Sequence, residues 1–452
     1  MNMYLEKETL TRQVGLDKLM QTSLQGIEQK GKQNKAHKFS NLYRLLNEQA
    51  LGYAWKCINK KASAGVDEIT AKEYSENLTD NIKEIVDALK NKRYHAKLVK
   101  RVEIPKGNGK FRPLGVPSVS DKILQNAVTM ILKAIYELEF LKSSYGYRPN
   151  VGAGMAGKDL KKELQFGKYG YIVEADIKGF FDNINHDWLI KMLELKINDK
   201  AFIGLIKKWL KAGILDVDGL VKHPITGCPQ GGIISPILSN IYLHYVLDIW
   251  FEKVVKPRSN GEAYICRYAD DFVCAFRYKE DAERFYNELP NRLRKFGLEL
   301  SMEKTNIINF SKFRAEKPSF DFLGFEYRWS KSIHGKGIVK RRTSRKKLRQ
   351  SISNMKDWCK SMRSKRLISI IKILNSKLRG YYNYYGVIGN SESLGDFYYI
   401  TMKSLFKWLN RRSQRHSFNW NQFIMMIKRY GVLTPRITES TNHQLKIDIC
   451  FL

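Results

Sequence analysis

The sequence has no run of 18 apolar residues, no Cys-x-x-Cys pair and few acidic residues for its length. The first absence predicts that no segment crosses a bilayer, and the N-terminus lacks the apolar core of a signal peptide, so we expect an intracellular, cytoplasmic protein. The six cysteines, at positions 57, 228, 266, 274, 359 and 450, have no partners at zinc spacing. This argues against a metal cluster or a disulfide framework and predicts reduced, mostly buried thiols.

The shortage of acids leaves a large positive charge. The 452 residues include 79 Lys and Arg against 45 Asp and Glu, which gives a net charge of +34. Such a surplus predicts a polyanionic partner, and nucleic acid is favoured over an anionic membrane surface. Hydrophobic residues make up 43% of the chain, so it can bury large cores, and disorder throughout is excluded. The length predicts two to four domains.

The charge is concentrated near the C-terminus. Between Lys331 and Trp420, 22 Lys and Arg face three acids, so more than half of the net charge lies in this segment. This asymmetry predicts a dedicated polyanion-binding region. Within it, apolar residues recur at helical spacing at Leu367, Ile370, Ile371, Leu374 and Leu378, so we expect helices that bury one face and expose a basic one. A Gly-rich polar connection between Tyr327 and Lys340 is the expected boundary before this region.

The periodicity upstream predicts an α+β fold. We expect a flexible N-terminal arm that ends in the polar stretch 29–35, then a helix over Phe39–Ile58 and a basic β-hairpin around the turn 106–110. A helix capped by Ser120 or Asp121 should follow. That helix is expected to run over Asp121–Glu139, and the further predicted helices are Asp187–Lys196, Lys200–Gly213, Ser235–Phe251 and Tyr278–Gly297.

Three acids adjoin apolar, β-rich runs. Asp176 ends the run that starts at Tyr169, while Asp270 and Asp271 lie in a tight turn between two predicted strands. A carboxylate among apolar residues needs a partner, and hard cations such as Mg²⁺ take oxygen ligands in the two-metal sites that transfer phosphoryl groups. A lone Asp-Asp pair more often forms a turn or a helix cap. The strand-turn-strand context favours the metal site.

Three motifs carry a family resemblance. They are Asp176-Ile-Lys-Gly-Phe-Phe-Asp-Asn-Ile, Pro229-Gln-Gly-Gly-Ile-Ile-Ser-Pro and Tyr268-Ala-Asp-Asp, with 94 residues between Asp176 and Asp270. With them the chain resembles the reverse transcriptase/maturases of group II introns. The resemblance implies a right-hand polymerase: an arm at 1–37, fingers at 38–168, a palm with an antiparallel sheet at 169–327, an all-α thumb or maturase domain at 328–430, and a C-terminal tail at 431–452.

The resemblance also implies the site. Asp176, Asp270 and Asp271 would be catalytic and hold two Mg²⁺ ions, with Mn²⁺ as an alternative ion and the Ile177 carbonyl as a further ligand. The residues implied for the nucleotide are Lys106 and Arg112 on the triphosphate, Gln230 beside it, Phe181 as a gate against a ribose 2′-hydroxyl, and Lys304 as a general acid or charge stabiliser near the pyrophosphate.

Each of these residues has a structural alternative. A solvated hairpin has about even odds for Lys106 and Arg112 when the hairpin is considered alone, because exposed Lys-rich turns are common at sheet edges. Phe181 could be core, although we expect only one of Phe180 and Phe181 to point there. For Lys304, a solvated surface position is the strong alternative.

Nucleic-acid contacts are expected from basic residues. Arg148 contacts the template backbone or forms a structural salt bridge, and both readings stay open. In the basic region we expect phosphate contacts from Arg345, Lys346, Lys347, Arg349, Arg379, Arg411 and Arg412. Tyr381, Tyr382, Tyr384 and Tyr385 could stack on bases, but core packing is favoured about two to one.

Taken together, the resemblance implies an RNA-directed DNA polymerase. It would copy structured RNA, expected to be intron RNA, from a DNA or RNA primer with dNTPs, and it would assist splicing as a maturase. Two alternatives remain at this point. One is a maturase that acts mainly as a non-catalytic RNA-folding cofactor, and the other is a host-recruited reverse transcriptase in antiviral defence or repair.

Overall fold

The computed structural model of the chain describes residues 20–107, 110–216, 218–222, 225–228, 230–312, 318–332, 334–412 and 417–439. The side chains of residues 106, 107 and 110 lie outside the described part. The α-helices are α1 (residues 20–33), α2 (Glu48–Cys57), α3 (Ala71–Glu76), α4 (Leu78–Lys90), α5 (Val119–Tyr136), α6 (Ala153–Phe166), α7 (His186–Glu194), α8 (Lys200–Leu210), α9 (Ser235–Leu243), α10 (Lys256–Arg258), α11 (Lys279–Arg294), α12 (Arg345–Ser361), α13 (Leu367–Tyr385), α14 (Ser391–Leu409) and α15 (Trp420–Arg429).

The strands are β1 (Val99–Gly107), β2 (Lys110–Val116), β3 (Tyr171–Ala175), β4 (Ile177–Lys178), β5 (Ile214–Leu215), β6 (Val221–Lys222), β7 (Ala263–Tyr268), β8 (Asp271–Phe276), β9 (Glu299–Leu300), β10 (Asn306–Asn309), β11 (Ser319–Phe322), β12 (Phe325–Lys331) and β13 (Gly337–Thr343). Apart from the short parallel pair of β1 with β5, the paired strands are antiparallel. This mixture of helices and antiparallel strands agrees with the predicted α+β class.

The start of the chain is more structured than predicted. Part of the expected flexible arm is helix α1, and its Met20 and Ile27 are buried in the main core. The helix predicted over Phe39–Ile58 is also shorter. Asn47 accepts a hydrogen bond from the Ala50 N–H and starts α2, because an Asn with extended backbone caps a new helix rather than continuing one. Residues Tyr43–Leu45 form a separate 3₁₀ turn.

The predicted basic hairpin is present as β1 and β2, with Ile104 opposite Arg112. It belongs to a sheet of order β2-β1-β5-β6. Helix α5, which follows, begins before its predicted start. Ser118, rather than Ser120 or Asp121, caps it by accepting a hydrogen bond from the Asp121 N–H.

The central sheet has the order β10-β3-β8-β7. Side chains of β8 alternate between two cores: Phe272, Cys274 and Phe276 join the main core, while Val273 and Ala275 join a second core with β11–β13. A strand covered on both faces is apolar throughout, which explains the continuous run in the sequence. The sheet is therefore a rigid platform whose strand ends carry the acids.

The helix predicted over Ser235–Phe251 changes its hydrogen-bonding partway. Helix α9 ends at Leu243, and His244–Asp248 and Phe251–Val255 continue as π-helical turns. The wider turns accompany full burial of Asp248 beneath the central sheet, where it meets Arg267. Widened turns of this kind are frequent near functional sites.

The polar connection predicted between Tyr327 and Lys340 is a β-hairpin. Strands β12 and β13 pair along their whole length, from Phe325 opposite Thr343 to Lys331 opposite Gly337, and β11 adds a third strand. This three-stranded sheet of β11–β13 therefore ends at residue 343, and the basic helices begin at Arg345. The predicted boundary at 327/328 falls inside β12.

Helices α12–α15 enclose a third core. The apolar stripe predicted on α13 is confirmed, since Ile370, Ile371, Leu374 and Leu378 are buried there. Among the described helices, none is long and apolar enough to cross a membrane. In the described part of the chain the cysteines are thiols outside disulfides, and all but Cys57 are buried.

Candidate active site

The Asp270–Asp271 pair lies at the tip of the β7–β8 hairpin. Tyr268 pairs with Asp271 across the hairpin, and Ala269 has φ +58°, a left-handed conformation that non-glycine residues rarely adopt. In the adjacent strand pair Ala175 lies opposite Phe272, so the next residue, Asp176, is beside Asp271. Neighbouring strands are about 4.8 Å apart, and the register therefore brings all three acids to one edge of the sheet.

Lys304 reaches the same edge from a 3₁₀ turn. Its Nζ donates a hydrogen bond of 2.6 Å to Asp176 Oδ2, and the Asp176 carbonyl accepts the Ser301 N–H at 2.8 Å. The Lys304 side chain is 68% exposed, and its hydrogen bond to Asp176 raises its pKa above the usual value. Lys304 is thus a protonated, accessible cation that contacts one of the acids. This contact distinguishes it from a lysine that is merely solvated at the surface.

The three acids act on one another electrostatically. Desolvation raises the pKa of Asp270, and the charge of Asp176 adds to the effect. Desolvation, followed by the charges of Asp270 and Asp176, raises the pKa of Asp271 to about 6, although Lys304 and Lys347 oppose this shift. The charge of Asp176 thus acts on both Asp270 and Asp271, and the three carboxylates share one region of negative potential.

The donor chemistry of this edge suits a hard cation. Among the described residues, no three His, Cys, Asp or Glu side chains are close enough together to form a ready-made metal cage. Instead, the Lys304 ammonium contacts Asp176, and this ion pair indicates that the edge attracts a positive charge. Three mutually repelling carboxylates beside the Ile177 backbone supply the oxygen ligands that Mg²⁺ and similar ions take. It is the type of donor atom at this edge, rather than a preformed cage, that suits such an ion.

Arg112 and Gln230 meet above the acids. Arg112 Nε donates to Gln230 Oε1 at 2.9 Å. The charge of Arg112 also opposes the desolvation that raises the pKa of Asp270. The backbones also meet, because the Gly115 N–H donates to the Gln230 carbonyl. At Gly231, with φ +106°, a Cβ would lie 2.6 Å from the Gly115 carbonyl oxygen. The hairpin and the 230–231 loop therefore form one exposed face, whereas the side chain of Lys106 lies outside the described residues.

Phe181 is largely buried. The expectation that just one of the consecutive phenylalanines enters the core is wrong, since Phe180 and Phe181 are 3% and 6% exposed and belong to the same core. They lie on a 3₁₀ turn, where neighbouring side chains diverge less than on a strand. The Phe181 carbonyl accepts the Cys228 N–H at 2.7 Å, so the gate candidate is held against the loop that leads to Gln230.

Arg148 is engaged within the protein. Its Nε and Nη2 both donate to Glu137 Oε1, at 2.9 and 2.6 Å, and its Nη1 donates to the carbonyls of Leu141 and Ser144. The guanidinium therefore has a structural role in the segment 137–148. Of the two readings that the sequence left open, the structural salt bridge is the one present.

The basic residues of the helical domain are exposed, as phosphate partners should be. None of Arg345, Lys346, Lys347, Arg349, Arg379 or Arg411 forms an ion pair with another described residue, and Arg412 donates to the Lys365 carbonyl at 2.9 Å. Arg345, Lys346 and Arg349 line an open cavity of about 690 Å³ with Asp321 and Glu326. The charge of Lys347 reaches Asp271, so the start of α12 faces the acids.

The four tyrosines at the end of α13 serve mainly as packing residues. Tyr382 is fully buried, and Tyr381 stacks on Phe397 with 3.7 Å between ring centroids. Tyr384 is 42% exposed but stacks on Phe325 and donates to the Leu323 carbonyl at 2.9 Å. These contacts agree with the favoured prediction that the tyrosines pack in the core.

Sequence reasoning missed a ring of cations around Trp408. Charged groups of Lys360, Arg363, Lys407 and Arg411 lie 5.5 to 6.0 Å from the centroid of this half-buried indole. A cluster of cations attracts anionic counter-ions, and each cation is also attracted to the face of an indole. The residues come from the end of α12 and the end of α14, and their spacing in the sequence gives no sign that they meet.

Sequence reasoning also missed the buried arginine next to the acids. Arg267 is fully buried on β7 and pairs with Asp248 through its Nε at 2.7 Å and its Nη2 at 2.6 Å. Burial alone would raise the pKa of Asp248, but the charge and hydrogen bonds of Arg267, together with the contact with His244, keep this pKa below its usual range. The signal was present as an arginine inside an apolar strand, which needs a buried partner.

Comparison with known proteins bears on both parts of the chain. Residues 104–327 match the family model "Reverse transcriptase (RNA-dependent DNA polymerase)", and residues 345–423 match "Group II intron, maturase-specific domain". The chain is 33% identical to the group II intron-encoded protein LtrA of Lactococcus lactis subsp. cremoris, over 90% of this chain and 80% of LtrA.

Two further relatives are more partial. Protein YkfC of Escherichia coli is 34% identical over 60% of this chain and 77% of its own length. The putative COX1/OXI3 intron 1 protein of Saccharomyces cerevisiae is 29% identical over 68% of this chain and 45% of its own length. The matches cover the sheet with the three acids and the basic helices alike.

Proposed function

The chain belongs to the group II intron reverse transcriptase/maturase family, and from this premise we propose how its residues divide the work. Membership makes it an RNA-directed DNA polymerase with a maturase domain that binds intron RNA. The family uses divalent metal ions. The roles of individual residues, of Mg²⁺ and of the separate lobes are the proposal.

The proposed lobes follow the fold described above. Residues 38–168 are the fingers, with the β1–β2 hairpin above the acids, and the palm runs from 169 through β13. The thumb is the helical domain from Arg345 to about residue 430. Support for this division comes from the continuous β11–β13 sheet and from the separate core of α12–α15.

Asp176, Asp270 and Asp271 would hold two Mg²⁺ ions, with the Ile177 carbonyl as a further ligand. Bound there, the ions supply charge stabilisation for the attacking and leaving oxygens of an in-line displacement. The protein's part is to keep three carboxylates at one sheet edge against their mutual repulsion. The primer 3′-hydroxyl then attacks the α-phosphorus of the dNTP, and pyrophosphate leaves.

The surrounding residues would position the nucleotide. Arg112 and Gln230 form one exposed face on the fingers side, and a guanidinium suits a triphosphate because it offers two parallel donors. Lys106 would assist from the same hairpin. Lys304, kept protonated by Asp176, would give charge or a proton to the leaving pyrophosphate. Phe181, backed by the core, would exclude a ribose 2′-hydroxyl.

The helical domain would bind the RNA backbone. Its exposed cations include Lys347, whose charge reaches Asp271, its neighbours Arg345, Lys346 and Arg349 on α12, Arg379 on α13, Arg411 at the Trp408 ring, and Arg412. Unpaired surface cations release counter-ions when a polyanion binds, which makes the affinity strongly salt-dependent.

The observation that carries this proposal is the register that aligns Asp176 with the Asp270–Asp271 turn. Its test is primer extension by the purified protein on RNA and DNA templates with Mg²⁺, comparing dNTPs with NTPs. We expect extension on RNA with dNTPs. A preference for NTPs would contradict the role of Phe181, and extension independent of divalent ions would contradict the role of the acids.

A second function, splicing assistance without DNA synthesis, is favoured by the match of residues 345–423 to the maturase-specific domain. It is tested by splicing of the cognate intron RNA with the variant Asp270→Asn/Asp271→Asn. Splicing at the wild-type rate, with no primer extension, would assign splicing to the RNA-binding surface alone. Loss of both activities would show that splicing depends on the palm acids.

A further inference from the structure

The turn that carries Asp270 and Asp271 is held from below by a buried polar network. Arg267 donates to both Asp248 oxygens, to Ser144 Oγ at 2.6 Å and to Asn240 Oδ1 at 3.1 Å. Its Nη1 also donates to the Ala269 carbonyl at 2.9 Å. We call Ser144, Asn240, Asp248 and Arg267 the turn clamp; all four are buried.

The clamp acts on the one strained residue of the turn. Ala269 has φ +58°, a conformation that persists only where its surroundings impose it. Its carbonyl belongs to the peptide bond that leads into Asp270, so the hydrogen bond from Arg267 fixes the plane of that peptide. Without it, the turn could relax toward the ordinary backbone regions.

A second contact involves the backbone of Ala269. A Cβ at Gly146 would lie 2.3 Å from the Ala269 nitrogen, so the two backbones are in direct contact there. Asn240 holds Gly146 in place, because its Nδ2 donates to the Gly146 carbonyl at 2.6 Å. Asn240 therefore bonds both the arginine and the glycine that enclose the turn.

The arrangement exceeds what a simple buried ion pair requires. A guanidinium has five N–H donors, and here two serve Asp248 while the others reach Asn240, Ser144 and the turn. Asp248 neutralises the charge from a π-helical turn, and His244 lies on the same turn with its Nδ1 3.8 Å from Asp248. The clamp thus supplies fixed geometry with little net charge.

We propose that Arg267 is a positioning residue for nucleotidyl transfer, holding the Ala269 peptide so that Asp270 and Asp271 stay aligned with Asp176. The inference rests on the proposed function. Lysine cannot replace the arginine, since an ammonium has three donors and no planar fork. Displacing a catalytic group by about 1 Å can cost about 10²-fold in rate.

Three variants of the full chain separate positioning from simple stability. Arg267→Lys keeps the charge and loses the fork. Arg267→Met/Asp248→Leu removes both buried charges, a change that proteins often tolerate without loss of stability. Arg341→Lys is the matched control, because Arg341 is fully buried and paired with Glu439 but belongs to β13, away from the turn.

Four quantities are measured: the melting temperature, kcat on an RNA template, the Mg²⁺ concentration for half-maximal rate, and hydrogen exchange of the amides at 269–271 in metal-free protein. We expect Arg267→Lys and the double variant to lose about 10²-fold in kcat, to need several-fold more Mg²⁺ and to exchange these amides faster. The double variant should melt within a few degrees of the wild type. Arg341→Lys should lower the melting temperature and leave the other three quantities unchanged.

The outcomes distinguish this inference from the proposed function. A folded double variant with wild-type kcat, Mg²⁺ dependence and amide exchange would overturn the role of Arg267, and so would equal changes in Arg341→Lys. If the wild type itself failed to extend primers, the proposed function would fall, and unchanged exchange at 269–271 would still refute the clamp on its own.

Discussion

The β7–β8 turn and the basic helices hold their charged groups in opposite ways. The turn is enclosed by the buried Arg267 and by the backbone of Gly146, so the acids it carries have little freedom. On α12, Arg345 and Arg349 are exposed and form no ion pair with any described residue. Chemistry at one phosphorus atom needs fixed geometry, whereas binding a phosphate backbone needs charge that can adapt.

The comparison predicts that changes at the acids are severe and specific. Asp270→Asn/Asp271→Asn should reduce primer extension by at least about 10³-fold, the order of loss seen when catalytic groups that act as a unit are removed. RNA affinity, measured by filter binding, should stay within about twofold of the wild type because the basic helices are intact. Extension above about a tenth of the wild-type rate would remove the acids from the mechanism.

Lys304 tests whether a cation near the acids acts in the fixed geometry of the β7–β8 turn or as an adaptable surface charge like those of the basic helices. Lys304→Met should lower kcat by about 10²-fold, since it removes the protonated group bonded to Asp176. The matched control is Lys295→Met, an exposed lysine on the surface after α11. Single-turnover extension measures both, and equal rates for the two variants would place Lys304 among ordinary surface cations.

The adaptable region should lose affinity gradually. Arg345→Gln/Arg349→Gln should weaken RNA binding about tenfold and reduce the slope of log affinity against log salt concentration by about 1.4 to 1.8. A control variant with the same charge change, Lys72→Gln/Lys83→Gln on α3 and α4, should leave the slope unchanged. Salt titrations of RNA affinity provide the comparison, and equal slopes for both variants would show that α12 makes no phosphate contact.

The smallest expected effect concerns stability. The folded-state pKa of Asp271 is raised to about 6, so the unfolded chain releases this proton first and the native state loses stability as pH rises from about 4 to about 6. In metal-free protein, Asp271→Asn should therefore raise the melting temperature at pH 7.5, and the gain should vanish near pH 4. A gain independent of pH would mean that charge repulsion at this edge is not its cause.

The sequence predicted the position of the acids at strand ends because their signal is local. An apolar run that ends at Asp176, and a second run interrupted by Asp270 and Asp271, define strand ends without any knowledge of tertiary contacts. The β1–β2 hairpin and the stripe on α13 were found for the same reason. In each case the local pattern of apolar and polar residues is sufficient to predict the element.

The failures have equally specific causes. Strand β13 alternates buried and partly exposed residues, but Arg341 occupies a buried position and hides the apolar alternation, so the hairpin looked like a polar linker. The cations around Trp408 come from the ends of two helices and the residues just after them, and the side-chain partners of Arg267 come from two distant segments, Ser144 from one and Asn240 and Asp248 from the other. Contacts between distant segments leave no periodic trace.

The hairpin described between the sheet and the basic helices ties the two parts together. Phe325 on β12 packs between Tyr384 and Tyr385 of α13, the Ser344 N–H bonds the Gly324 carbonyl, and Asn390 bonds Thr343. An isolated fragment that began near residue 345 would uncover this aromatic seam to water. We therefore expect the maturase-like helices, expressed alone, to aggregate more readily than the full chain, even though they enclose a core of their own.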